Sequence, residues 1–178
     1  MAARTTTMNR LSSLPRVLQA VLLLAPLALS AADARVKLDW TDPEKFTDTR
    51  QSMCSSTIGP DEWLGELARH VESRAAKQIE PGQHLAITIT DVRRAGQCEP
   101  WRGPQASDVR IVKEPHSPRI DLRYVLSDAD GKVLREGTGE LRDLAFLQRG
   151  TLNANDPLRF EKRMLDDWLH KTFPAHAP

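Results

Sequence analysis

Cysteine is nearly absent from this 178-residue chain, which has only Cys54 and Cys98. Two cysteines with no histidine pair nearby cannot complete a tetrahedral zinc set, so a structural zinc site is excluded at once. Charge of one sign is missing too, with 25 basic residues against 24 acidic ones. That balance gives no global reason to bind nucleic acid or anionic lipid. There is no low-complexity tract, no internal repeat and no heptad pattern. No G-x-S-x-G, no G-x-x-x-x-G-K and no H-E-x-x-H occurs, so the common nucleophile, phosphate-loop and metalloprotease signatures are all lacking. Gly137-Thr138-Gly139 lacks a third glycine and follows a strand-like segment instead of preceding a helix. No apolar run reaches the roughly 20 residues of a membrane helix, because Pro26 interrupts the longest one.

That longest run, VLQAVLLLAPLAL from Val17 to Leu29, follows Arg4, Arg10 and Arg16 and precedes SAADA. A basic region, a short apolar region and an alanine-rich stretch make a signal peptide over residues 1–34. Cleavage follows Ala32 or Ala34, and the two are not separable. No cysteine lies near the cut, which argues against a lipid anchor. The expectation is a periplasmic or secreted protein with no membrane span after signal cleavage. About 145 residues remain, a normal size for one domain, expected over 35–173 with a disordered tail at 174–178. Export also changes the meaning of the cysteines. An oxidising compartment favours a Cys54–Cys98 disulfide, with two free thiols as the alternative.

VKLDW (36–40) alternates Val36, Leu38 and Trp40 and reads as a strand. A long polar loop is expected next. A helix begins near Pro60-Asp61, its apolar stripe being Trp63, Leu64, Leu67, Val71 and Ala75. LAITITDV (85–92) alternates as a half-buried strand. VRIVK (109–113) reads as a short strand and IDLRYVL (120–126) as a longer one. DADG (128–131) signals a hairpin into KVLREGTGE. LRDLAFLQ (141–148) is ambiguous. Asp156-Pro157 opens a closing helix that buries Leu158, Met164, Leu165, Trp168 and Leu169. The order is β-α-β-β-β-β-α. The fold class expected is α+β, a two-layer sandwich of a mixed, mostly antiparallel sheet of about five strands, with both helices on one face. The first two strands should be parallel.

The segments DPEKFTD, EPWRGP, DVRIVKE, PRIDLRY, DADGKVLREG, DLAFL and NDPLRFEKRMLDDWL together resemble a family of exported bacterial proteins classed as a domain of unknown function, the DUF3016 family. The resemblance runs from about Val36 to Thr172. It implies an exported domain and transfers no catalytic residue. The cysteine pair is not part of the family pattern.

Candidate chemistry is sparse. His70, His84, His116, His170 and His176 show no ligand spacing, so no metal and no cofactor is expected; His70, beside Val71 on the helix, is expected at the surface. DADG fails as a calcium loop, because Leu126 and Gly137 would stand where acids are required. Asp166 and Asp167 are adjacent on a helix and diverge by about 100°, so they cannot share one proton-transfer centre. Topology is the better guide. In a parallel β-α-β unit, the loop carrying Asp42, Phe46, Asp48 and Cys54 rises at the same end as Cys98 and EPWRGP. Trp101 and Arg102, with Asp42 and Asp48, are the candidate recognition surface, Trp and Arg being enriched at interface hot spots. The competing reading is that Trp101 caps a core edge and Arg102 pairs with Glu99. The function expected is a non-catalytic binding or accessory protein of the cell envelope, its partner an envelope protein or small ligand. The alternative is a small envelope hydrolase using Asp42, Asp48, Glu99 and Asp108. The sequence leaves the oligomeric state open.

Overall fold

A computed structural model describes residues 35–55, 59–150 and 153–174; the expected signal peptide and most of the expected tail lie outside the described residues. Alternating apolar side chains build a four-stranded sheet. Its strands, in spatial order, are β1 (Arg35–Trp40), β2 (His84–Arg93), β5 (Arg119–Ser127) and β6 (Val133–Arg142). β1 pairs parallel with β2, and the other two pairings are antiparallel. The fold is therefore α+β with a mostly antiparallel sheet. VRIVK does not join it. Only β4 (Arg110–Ile111) is extended there, and it pairs with β3 (Gln97–Cys98) as a separate two-stranded ladder. The main sheet thus has four strands where about five were expected. Prolines at 100, 104, 115 and 118 surround the segment and remove donors that a longer ladder would need.

One face of the sheet is covered. Leu85, Ile87 and Ile89 of β2 point inward, as do Ile120, Leu122, Tyr124 and Leu126 of β5. The register shifts between Ile89 and Asp91. This bulge passes the inward position to Val92 and leaves the Asp91 carboxylate free for another task. Helix α2 (Pro60–Ala75) lays Trp63, Leu64, Leu67, Ala68, Val71 and Ala75 on that face, and α3 (Arg159–Thr172) adds Met164, Leu165 and Leu169. Both helices thus share one apolar cluster with the strands. Two details differ from the expected stripes. Trp168 is only half-buried, in edge contact with Tyr124 and Phe173. His70 is not a free surface residue, because its Nε2 lies 2.9 Å from Asp166 Oδ1 and ties α2 to α3.

The hairpin between β5 and β6 turns at Asp128–Gly131 as the sequence implies. Asp128 Oδ1 accepts from the amides of Asp130 and Lys132, and Gly131 has φ 84°, the left-handed region a side chain would resist. β6 then continues through Leu141 to Arg142, so the ambiguous segment begins as strand and becomes a turn. Asp156 caps a turn just ahead of α3, accepting from the Leu158 amide at 2.8 Å.

Candidate functional site

The carboxyl ends of β1 and β2 gather the loops that the topology predicts. The segment after Trp40 is not an open loop. Asp42 accepts from the Glu44 amide and caps a short 3-10 turn at Pro43–Lys45; helix α1 (Thr47–Gln51) follows. Between them Phe46 is almost fully buried, an anchor that a lone aromatic in a polar stretch did not advertise. The Asp91 carboxylate freed by the β2 bulge holds the start of α1, accepting from Thr47 N at 2.6 Å and Thr47 Oγ1 at 2.7 Å.

Asp48, expected on the recognition surface, is 4% exposed and serves the interior instead. Its Oδ1 accepts from Arg94 N at 2.9 Å and its Oδ2 from Arg94 Nε at 2.8 Å. Arg110 closes the cluster from β4, with Nη1 and Nη2 at 3.2 and 3.1 Å from the two oxygens. Arg110 also donates to Gly96 O at 2.8 Å, so one carboxylate fastens α1, the end of β2 and the β3–β4 ladder together. Burial pulls the Arg110 guanidinium below its ordinary value, and the Asp48 charge opposes that shift. Arg94 stacks over the Trp63 ring with its guanidinium carbon 4.6 Å from the centroid.

A second brace is covalent. Cys54 and Cys98 are joined, their Cα atoms 4.9 Å apart. Ser55 N donates to Ser107 O at 3.0 Å, which adds the following turn to the same bracket. Beside Cys98, the Glu99 side chain is buried and its carboxylate contacts Lys113 Nζ and Arg102 Nε. The hydrogen bond from Lys113 holds this carboxyl below the usual range, with Arg102 adding to the effect. Behind the ladder, Glu161 from the first turn of α3 accepts from Ala95 N at 2.7 Å. Its other oxygen has no partner, and complete burial pushes its pKa upward.

Above these braces the surface is apolar and open. Trp101 is 63% exposed, and Arg102 beside it is exposed as well. Met53 and Val109 are each more than half exposed. Met53 precedes Cys54, and Val109 precedes Arg110, which pairs with Cys98, so these apolar groups flank the disulfide. The structure thus brings Trp101 and Arg102 to solvent at the disulfide end. It assigns Asp48 to the interior and gives Asp42 a capping role with a 3.1 Å ion pair to Lys45. A shallow cavity of about 250 Å³ at the start of α2 is lined by Asp48, Trp63 and Arg94, groups already engaged with one another. Among the described residues, no three His, Cys, Asp or Glu side chains converge as metal ligands. None of the described helices is long and apolar enough to cross a membrane.

Comparison with known proteins adds little chemistry. No curated protein sequence matches significantly. Among solved structures, the chain is similar to the dodecamer of a single-substitution variant of PelC from Paraburkholderia phytofirmans, at 8% identity and a TM-score of 0.39, covering 79% of this chain and 88% of that one. A likeness that slight carries no argument about function. The profile described as a protein of unknown function, DUF3016, matches residues 34–171, and the chain belongs to that family.

Proposed function

We propose that this chain is an exported, non-catalytic binding protein of the cell envelope, and that the disulfide-braced loop end is its recognition surface. The observation that carries the reading is Trp101. A large aromatic ring stands mostly in solvent on a loop that is held by a disulfide and by the buried Glu99 contacts. A rigid, exposed Trp beside an Arg suits recognition, because little side-chain or loop entropy is lost on binding. Met53 and Val109 extend the apolar area around the disulfide.

The hydrolase alternative has less support. A general acid needs a carboxyl that holds its proton near working pH. Glu99 and Asp42 are shifted the other way, Glu99 by Lys113 and Asp42 by Lys45. Asp48 spends both oxygens on Arg94 and Arg110. Glu161 is shifted in the right direction, but it faces the Ala95 amide in the interior.

Two measurements test the reading. Fractionation of expressing cells, with N-terminal sequencing, should place the chain outside the cytoplasm and starting at residue 33 or 35. Cross-linking in the native envelope should then capture a specific partner that Trp101→Ala loses while its melting temperature stays unchanged. Retention in the cytoplasm, or capture by the stable Trp101→Ala variant at the parental level, refutes it.

A further inference from the structure

The open edge of the sheet points to a second copy of this chain. β6 has ten residues and, among the described strands, pairs only with β5. An exposed edge of that length is a template for another strand, which proteins ordinarily block with prolines, bulges or charged side chains, so the order of charges on β6 decides what strand could add to it. β6 contains no proline. Its charges are arranged oddly for the sheet it belongs to. Arg142 stands opposite Arg119 of β5 and Glu140 opposite Asp121, like against like. Arg119 pairs with Asp121 on its own strand and lies 4.0 Å from Asp91 across on β2, while Arg142 reaches Glu140 at 3.4 Å along β6. On β6, therefore, neither Arg142 nor Glu140 has a complementary residue directly opposite it in the sheet.

A second β6 supplies such partners in two registers, but centring on Leu141, which sets Glu140 opposite Arg142, leaves only Glu140 to Arg142 of each strand in the ladder. A twofold axis perpendicular to the sheet pairs positions of equal parity and keeps the helix-covered faces together. Centring on Glu136, Thr138 or Glu140 sets glutamates directly opposite each other, which is destabilising. Centring on Gly137 forms no ion pair. Centring on Gly139 places Glu136 of each copy opposite Arg142 of the other, and Thr138 opposite Glu140. The same register carries Leu134, 48% exposed, toward the partner's strand end, where Leu144 follows at 79% exposed. Leu141 then meets Gly137, a residue with no side chain on the inner face. Room is present on that face, since a groove of about 510 Å³ separates β6 from α3 and is lined by Gly139, Leu141, Asp167 and Trp168.

We propose that two copies join their sheets through antiparallel β6 strands in the register centred on Gly139, making a continuous eight-stranded sheet. Seven residues of each strand pair, from Glu136 to Arg142. One strand pair is a smaller contact than the roughly 1,600 Å² of a standard interface, so the dimer is weak and reversible.

Sedimentation equilibrium of the signal-cleaved protein tests this over a concentration range from micromolar to about 1 mM, where a weak dimer is populated. Glu136→Arg and Arg142→Glu should each weaken the dimer by about tenfold or more, and the double variant should restore it. Circular dichroism confirms that each variant is folded. Register is read by mixing a Thr138→Cys chain with a Glu140→Cys chain under mild oxidant. Both positions are exposed, and the mixture should cross-link while neither variant cross-links alone. A strictly monomeric protein overturns the proposal, as does a dimer indifferent to the charge reversals. Thr138→Cys cross-linking to itself overturns the register.

Discussion

Removing the Asp48 carboxylate is the most exacting test of how the loop end is held. Asp48→Ala deletes the acceptor of four hydrogen bonds, one from the Arg94 amide and three from the Arg94 and Arg110 guanidiniums. The guanidiniums are 17% and 19% exposed, so water can recover only part of the lost solvation. Breaking a buried ion pair from one side costs about 3–5 kcal/mol. The partial exposure of both arginines places the expectation at the lower end, about 3 kcal/mol. For a domain of this size each kcal/mol moves the melting temperature by about 3–5 °C. Urea unfolding with the disulfide intact should show a lower midpoint at constant slope, and calorimetry a fall of about 10–15 °C. Asp48→Asn should recover part of this loss, because its amide oxygen can still accept from Arg94 N. A loss below about 1 kcal/mol would mean that the arginines find water or other acceptors, and the cluster would not be the fastening described.

Removing the other brace, with Cys54→Ser and Cys98→Ser together, opens a loop of 44 residues' separation and should cost about 4 kcal/mol on the chain-entropy model; an equal midpoint in urea with and without reductant contradicts this. Trp101→Ala should change stability by no more than about 0.5 kcal/mol, since the ring lies mostly in solvent; a larger loss in thermal unfolding would make Trp101 a packing residue. Gly96→Ala should prevent normal folding, because φ is +75° and a Cβ would stand 2.4 Å from Ile111 O; soluble, native-like circular dichroism contradicts the close approach. Glu161 keeps its proton to higher pH in the folded chain than in the unfolded one. Stability from this group therefore falls as pH rises above the ordinary carboxylate range. Glu161→Gln should remove that slope, stabilising the protein more at pH 8 than at pH 4. The comparison is made against the parent because Glu99 and Asp156, both lowered, titrate in the opposite sense. An equal effect at both pH values contradicts it.

Regular periodicity was the legible part of this chain. Alternation in LAITITDV and IDLRYVL, and the stripe from Trp63 to Ala75, each record one buried face, and the parallel β1–β2 pairing followed from the helix between them. The cysteine pair was legible for a related reason: topology alone puts Cys54 and Cys98 at one end, where they are bonded. What escaped lies where polar side chains do the anchoring. Asp48 and Glu161 look like surface acids in sequence, and only the arrival of Arg94, Arg110 and the Ala95 amide from distant segments makes their burial tolerable. Phe46 is hidden in a polar run because short turns carry no period to read. The same limit explains why the recognition surface could be named only in part. Trp101 stands exposed two residues from a Glu99 that turns inward to meet Lys113, a pairing that spans fourteen residues and leaves no local pattern. The strand edge of β6 adds a different case. Its charge order is plain in REGTGELR, but that Arg142 faces Arg119 and Glu140 faces Asp121 appears only once β6 is registered against β5.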